Sequence, residues 1–131
     1  MLVDTSAWVE IFRPKSNVYQ TLFRHHISDG ELIYTCPVIV QEVLQGVLPK
    51  DYWRVKVALQ SAILLSFPDT FRMAVGAADL YRQCRKKGVT VRKSPDCLIA
   101  YYAIQYKLPL LHRDNDFNNI AKVHALQIVA V

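Results

Sequence analysis

The chain has 131 residues, of which 52% are hydrophobic and 21% are charged, and this balance is typical of a globular protein rather than a disordered one. Its formal net charge is +5, from 16 Lys and Arg against 11 Asp and Glu. That excess favours a polyanionic partner about as strongly as a basic surface kept for solubility. Three cysteines without a C-x-x-C pair, four histidines without zinc spacing and no signal-like or membrane-length apolar run predict a cytoplasmic protein without a zinc site.

Short apolar runs alternate with helical patterns along the chain, which predicts one α/β domain over residues 1–131 with a largely parallel sheet. The predicted strands are 1–4, 32–34, 65–67, 109–111 and 127–131. The predicted helices are one that starts at Thr5 or Ser6 and ends at Pro14, then 17–27, 37 to 46 or 47, 51–64, 69 or 70 to 88, one that starts at Ser94, and 117–123.

Four acids fall where such a fold could bring them together. Asp4 and Asp114 each follow a predicted strand, and ligands of open α/β sheets bind at the carboxyl ends of the strands. Asp96 lies in the first turn of one helix and Glu42 near the middle of another, so both can lean toward that crevice. Each acid also has an ordinary explanation as a turn, a cap or a solvated residue. Glu42 is the hardest to explain that way, because apolar residues flank it on both sides.

Carboxylates without Cys or clustered His suit Mg²⁺ or Mn²⁺ rather than zinc or copper. Two such ions can activate a water and stabilise both oxygens of a phosphoryl displacement. Other phosphate chemistries have less support. The chain has no phosphate-binding G-x-x-x-x-G-K-[ST] loop and no G-x-S-x-G nucleophile motif. An aspartyl-phosphate enzyme would carry a second Asp two residues after Asp4, where this chain has Ser6.

Four segments, in order, resemble the motifs of the PIN domain. They are Leu-Val-Asp-Thr-Ser-Ala-Trp at 2–8, Pro-Val-Ile-Val-Gln-Glu-Val-Leu-Gln-Gly at 37–46, Ser-Pro-Asp-Cys-Leu-Ile-Ala at 94–100 and Leu-Leu-His-Arg-Asp-Asn-Asp-Phe at 110–117. No single motif is specific, but the ordered set covers nearly the whole chain. Within the family the chain most resembles the VapC-type toxins of toxin–antitoxin pairs. The resemblance implies a three-layer PIN-like domain with a short central sheet and helices on both faces.

The resemblance also implies a metal site. Asp4, Glu42, Asp96 and Asp114 match the acidic quartet that binds Mg²⁺ or Mn²⁺ in PIN ribonucleases, and Thr5 or Ser6 matches a supporting hydroxyl. Asp116 is a rival to Asp114 as the fourth ligand, but its position favours capping the next helix. Two residues depart from the family pattern: His112 stands where Thr is common, and Cys36 where a small hydroxyl residue is common. His112 could act behind the metal ligands or contact substrate.

Basic residues cluster around the third and fourth motifs. In an RNA-cleaving enzyme they would contact phosphates, which position a substrate without reading its sequence. The alternative is a solvated helix end and loop. The residues predicted to bind substrate are Arg85, Lys87, Arg92, Lys93 and Arg113.

The resulting hypothesis is a metal-dependent endoribonuclease toxin that a cognate antitoxin neutralises. One alternative is a catalytically silent PIN-like module that binds RNA or a partner, and another is a DNA nuclease of related fold. Large apolar residues between Trp8 and Phe23, followed by Tyr52 and Trp53, predict partly exposed apolar surface. They could instead belong to the core. By resemblance to VapC proteins, we expect a homodimer and an antitoxin that packs on the 8–12 and 19–23 helices.

Overall fold

The computed structural model describes all residues, 1–131, as a short sheet surrounded by helices. The strands are β1 (Leu2–Val3), β2 (Tyr34–Thr35), β3 (Ile63–Leu64) and β4 (Leu110–Leu111). The α-helices are α1 (Thr5–Phe12), α2 (Val18–Ser28), α3 (Pro37–Gly46), α4 (Tyr52–Gln60), α5 (Thr70–Lys86), α6 (Ser94–Gln105) and α7 (Asn115–Ala121). A 3₁₀ turn, Pro49–Asp51, precedes α4. None of these helices has the length and apolar character that crossing a membrane requires.

The sheet has the order β3-β2-β1-β4, and every pairing within it is parallel. The predicted α/β fold with a short parallel sheet is therefore confirmed. β1 and β4 are neighbours, and the N–H of Asp4 donates to the carbonyl of Leu111 at 2.9 Å. Because both strands run in the same direction, the first and fourth motifs emerge side by side at one edge of the sheet.

A cluster of 26 buried residues forms the core. The residues of β1 and β4 are fully buried, so their apolar runs match strands covered on both faces. On α5, Met73, Ala77, Leu80 and Cys84 recur at helical spacing and form a buried stripe. Gly76 on the same helix has no room for a side chain, since a Cβ there would lie 2.1 Å from Cζ of Tyr101 on α6. This close approach fixes the spacing between α5 and α6.

Two predicted elements are displaced. The helix predicted for 51–64 ends at Gln60, and the edge strand is Ile63–Leu64 rather than 65–67. Parallel pairing with β2 through Ile63 and Leu65 outweighs the helical pattern there. The predicted final strand 127–131 is reduced to a single parallel bridge between Leu110 and Ile128.

The prediction of exposed aromatic surface on the first helix is wrong for Trp8. Only 2% of Trp8 is exposed, and its ring lies between Phe12, at 5.5 Å, and Phe23, at 5.4 Å. The same prediction is confirmed for Tyr52 and Trp53 at the start of α4, which are 42% and 70% exposed, and Leu48 nearby is 60% exposed. The side chains of α1 and α2 close over one another because the two helices pack as neighbours.

Candidate metal and nuclease site

Asp4 stands at the end of β1 and caps α1. Its carboxylate accepts a hydrogen bond from the N–H of Ser6 at 2.8 Å and a second, short one from the Ser6 hydroxyl. The Ser6 oxygen in turn accepts the N–H of Arg113 at 2.9 Å. One hydroxyl therefore orients Asp4 and fastens the loop after β4, which carries the last motif. Thr5 and Ser6 are the two predicted supporting hydroxyls, and it is Ser6 that makes these contacts.

Three further carboxylates meet beside Asp4. Asp96 in the first turn of α6, Asp114 before α7 and Asp116 in the first turn of α7 each offer one oxygen within 4.8 Å of the others. The predicted helix 117–123 begins two residues earlier than expected, and Asp114 rather than Asp116 is its cap. Asp114 accepts the N–H of Asp116 at 3.1 Å. The capping role predicted for Asp116 is therefore wrong, and its buried carboxylate belongs to the cluster.

Electrostatic coupling joins Glu42 and Asp4 to this cluster. Burial raises the pKa of Asp96 to about 7, and the charges of Asp4 and Asp114 act in the same direction. Burial also raises the pKa of Glu42, with the charge of Asp4 as the next cause. Thr5 lies near enough to Glu42 to lower its pKa slightly, but its hydroxyl makes no well-formed hydrogen bond. The structure thus brings all four predicted acids into one electrostatic site and adds Asp116 as a fifth.

Two of the predicted substrate-binding residues lie directly on these acids. Arg92 donates from its backbone N–H to Asp116 at 2.9 Å, and its guanidinium reaches both Asp116 and Asp114 at 3.2 Å. Lys93 Nζ lies 3.0 Å from the other oxygen of Asp114. Partial burial acts to raise the pKa of Asp114, but the Asp116 N–H, Lys93 and Arg92 outweigh it and hold that pKa below its ordinary value.

A third predicted residue, Arg113, pairs with an acid that sequence reasoning missed. Its guanidinium contacts Glu10, a buried residue of α1 that also pairs with Arg13 at 3.2 Å. Glu10 lies between Val9 and Ile11, so the criterion applied to Glu42, an acid within an apolar run, would have found it. Arg92, Lys93 and Arg113, all engaged with carboxylates, are called the inner basic set below.

Arg85 and Lys87, the other two predicted substrate-binding residues, lie elsewhere. They belong to the last turn and C-terminus of α5 together with Arg82 and Lys86, and all four are exposed. None of the four takes part in an ion pair. These four residues are called the outer basic set.

His112 is buried against Phe117, with 5.1 Å between the ring centroids. Burial lowers its pKa, although the nearby charge of Asp4 acts to raise it. Neither ring nitrogen has a well-formed hydrogen bond. Its position behind the acids favours the first of the two predicted roles, support of the site from within, over contact with substrate.

The donor set fits a hard divalent cation. All the clustered donors are carboxylate oxygens, the ligands that Mg²⁺ and Mn²⁺ prefer. One buried oxygen of Asp96 and one of Glu42 have no hydrogen-bond partner in the protein. Buried charged oxygens without partners are costly, so a cation among these acids would offset both their desolvation and their mutual repulsion.

Comparisons with known proteins identify the family of this chain. The family model of the PIN domain matches residues 1–123. The chain is 37% identical over 131 residues to "VapC ribonuclease Mb1587" of Mycobacterium bovis, an alignment that covers 97% of this chain and 96% of that protein. It has the same identity and coverage with "Ribonuclease VapC11" of Mycobacterium tuberculosis.

Solved structures share the fold. VapBC2 from Rickettsia felis, crystallised with a DNA fragment of its promoter, matches with a TM-score of 0.75 at 16% identity, covering 98% of this chain and 96% of that one. FitAcB from Neisseria gonorrhoeae matches with a TM-score of 0.72 at 19% identity over the same shares of the two chains. At these identities the likeness concerns the fold alone.

Proposed function

This chain belongs to the PIN domain family, and on that premise we propose that it is a metal-dependent endoribonuclease toxin that a cognate antitoxin neutralises. The proposal treats residues 1–131 as a single PIN domain. Its cofactor is Mg²⁺ or Mn²⁺, and its substrate is cellular RNA with an accessible single-stranded or loop segment. The ribonuclease names of relatives 37% identical to it support this reading.

The observation that carries the proposal is the cluster of carboxylates within 4.8 Å, with a buried Asp96 oxygen that no protein group satisfies. A chain with a formal charge of +5 has gathered five acids at one edge of its sheet. Arg92 and Lys93 offset only part of the repulsion among these acids, and a divalent cation would offset the rest and favour a polyanionic substrate. A catalytically silent binding module would have no need for clustered carboxylates whose burial and repulsion destabilise the fold.

Each residue then has a physical role. Asp96, Asp114 and Asp116 hold the ion, and Asp4 and Glu42 extend the site on the side of β1 and α3. A divalent ion held there supplies Lewis-acid stabilisation of charge on the phosphate. Ser6 fixes the orientation of Asp4, and Arg92 fixes that of Asp116. Of the five basic residues predicted to bind substrate, Arg85 and Lys87 are free to contact RNA phosphates. The other three, Arg92, Lys93 and Arg113, are engaged with carboxylates and act on the site itself.

The test is cleavage of a single-stranded RNA by purified protein with Mg²⁺ or Mn²⁺, and again after addition of EDTA. Asp4→Asn and Asp96→Asn remove charge at nearly constant volume, so each variant should fold and lose cleavage. Circular dichroism and melting temperature confirm folding. Full cleavage by either variant, or by metal-free protein, would contradict the proposal.

The proposed antitoxin site is a groove between α1, α3 and α4. This groove has a volume of about 230 Å³ and is lined by Val9, Phe12, Leu48 and Val55, with Glu42 also in its wall. An apolar partner segment lying there would reach the acids, and a Lys or Arg from it would oppose metal binding by charge. This groove keeps part of the predicted surface on the 8–12 helix, through Val9 and Phe12, but Trp8 is buried and takes no part in it. Packing on the 19–23 helix stays a prediction.

Two measurements test the assembly. Val9→Arg and Leu48→Arg place charge on exposed residues of the groove and should weaken antitoxin binding while cleavage continues. Equal inhibition of both variants by the antitoxin would reject the groove. Sedimentation of the free chain tests the proposed homodimer, which a monomer at high concentration would exclude.

A further inference from the structure

A cavity near the acidic site remains without a role in the proposed function. It lies between the end of α5 and the loop that leads to Arg92, and it has a volume of about 380 Å³. Its wall consists of Tyr81, Arg85, Gly88, Val89, Thr90 and Val91. The volume lies at the lower end of the range for small-molecule sites, and a single nucleoside fits it better than a large ligand.

The wall combines an aromatic ring, aliphatic groups and one free positive charge. Tyr81 and Arg85 are four residues apart on α5, so their side chains share one face of the helix. The Tyr81 hydroxyl makes no hydrogen bond within the protein, and Arg85 has no ion-pair partner. Val89, which is half-buried, adds apolar surface, Val91 is buried at the base of the wall, and Thr90 is an exposed residue with a hydroxyl. Gly88 turns the chain with a φ of +73° and leaves open space where a Cβ would stand.

The cavity adjoins the acids through one peptide unit. Val91 lines the cavity, and the N–H of the next residue, Arg92, donates to Asp116 at 2.9 Å. Tyr81 also lines a second cavity on its other side, with Ala77, Ala78 and Ser94 at the start of α6. The two cavities therefore share the Tyr81 side chain, and the second includes Ser94 and Cys97 in the first turn of α6.

From these observations, and resting on the proposed RNA substrate, we propose that this cavity is a nucleotide subsite for a single-stranded segment of RNA. One base stacks on Tyr81 beside Val89, and a neighbouring phosphate pairs with Arg85. Proteins bind single-stranded nucleic acid by this combination of an aromatic platform and a basic groove, because every base has a face that can stack. The subsite therefore fixes the position of one nucleotide relative to the cleaved bond, whichever base that nucleotide carries.

The experiment uses metal-free protein with EDTA, so that binding is measured without cleavage. The probe is a single-stranded RNA oligonucleotide with 2-aminopurine at one position at a time, because the fluorescence of this base falls when it stacks on an aromatic ring. We expect the wild type to quench one position strongly. Tyr81→Leu should remove that quenching and weaken RNA binding roughly 5- to 150-fold, the equivalent of one stacked base. Tyr81→Phe should retain both.

Two controls separate stacking from damage to the fold. Phe71→Leu removes an exposed aromatic from the same helix, about 15 Å from Tyr81 along its axis, and should leave quenching unchanged. Thr90→Met fills the cavity from an exposed position with a side chain that cannot stack, and should weaken binding even where Tyr81→Leu is too unstable to use. Melting temperatures accompany every variant.

The outcomes distinguish this subsite from the function on which it rests. Normal quenching by Tyr81→Leu or by Thr90→Met would overturn the subsite, as would equal losses in Tyr81→Phe and Tyr81→Leu. If the wild type cleaves RNA with Mg²⁺ while either of these results is obtained, the subsite alone is wrong. A wild type that neither binds nor cleaves the RNA would overturn both.

Discussion

The inner and outer basic sets differ in partners rather than in exposure. Arg92, Lys93 and Arg113 of the inner set are 65%, 60% and 54% exposed at their side chains, yet each has its charged end on a carboxylate. The outer set on α5 is exposed and has no such partner. A count of basic residues treats the two sets alike, whereas their chemistry differs. The inner set is coupled to the acids, and the outer set is free for a polyanion.

This difference predicts different consequences of mutation. A change in the inner set should alter how the acids are held and how strongly they bind a cation. A change in the outer set should alter only the electrostatic part of RNA binding, which depends on salt. The comparison therefore fails if variants of the two sets behave alike.

The largest expected effect is that of Arg92→Gln. This variant removes the guanidinium from Asp116, whose side chain is 3% exposed, and leaves that carboxylate with only the backbone N–H of residue 92 to orient it. Groups that orient metal ligands typically contribute 10- to 100-fold to activity, so we expect cleavage to fall by roughly that factor. Arg85→Gln is the matched control and should lose under about fivefold at saturating RNA. Single-turnover kinetics measure both.

The next effect concerns salt. Arg85→Gln combined with Lys87→Gln should weaken RNA binding at low salt and flatten its salt dependence. The expected change in slope is about 1.4 in total, since each phosphate contact of a single strand contributes about 0.7. As a control, Arg24→Gln removes the charge of another exposed arginine, on α2, and should leave the slope unchanged. An unaltered slope in the double variant would show that the outer set is a solvated helix end that does not contact RNA.

A smaller effect, on the Mg²⁺ requirement, distinguishes Lys93 of the inner set from Lys87 of the outer set. Lys93 competes with a cation for Asp114, so Lys93→Gln should lower the Mg²⁺ concentration for half-maximal cleavage about threefold by removing a like charge. Lys87→Gln should leave that concentration unchanged. Titration of cleavage with Mg²⁺ measures both variants, and a parallel response of the two would remove the distinction between the sets.

The smallest effect is on stability against pH in metal-free protein. The pKa of Asp96 is raised from 3.8 to about 7 in the folded chain, chiefly by burial. Between those values the folded chain binds more protons than the unfolded chain, so stability falls as pH rises. Asp4 and Glu42, whose pKa values are also raised by burial, act in the same direction. The lowered pKa of Asp114 acts oppositely, but below that window. The pKa of His112, lowered from 6.5 by burial, also acts oppositely, and it reduces the fall in the lower part of the window.

We therefore expect the melting temperature in EDTA to fall between pH 5 and pH 8 by a few degrees, about what a change near 1 kcal/mol produces. Mg²⁺ should reduce the fall, and Asp96→Asn should remove much of it. A melting temperature that rises over this range in EDTA would show that the acids are not destabilised by their burial.

Much of the site follows from local rules. Asp4 and Asp114 could be placed because each follows a short apolar strand, and parallel strands end at one edge of a sheet. The pattern at Ser94–Pro95 fixed the start of α6, and so the position of Asp96 in its first turn. The buried stripe of α5 followed from its spacing. These are short-range signals, and the structure agrees with them.

The parts that sequence reasoning missed depend on contacts between distant segments. No local pattern shows that Arg92 will reach Asp116, 24 residues later, or that Arg113 will pair with Glu10, 103 residues earlier. Two aspartates two residues apart can each cap a helix, and only the register after β4 selects Asp114. Burial of Trp8 likewise depends on how α2 folds back over α1.

The attachment of Arg113 to α1 makes one rigid unit out of two distant motifs. Its backbone N–H binds Ser6 and its side chain binds Glu10, one helical turn further along. Because the loop after β4 is attached to α1 at two points, it cannot rotate about either hydrogen bond alone. A partner that presses on the exposed Val9 side of α1 therefore displaces Asp4 and the Asp114 loop together. A tilt of this short helix would be transmitted to both sides of the acidic cluster at once.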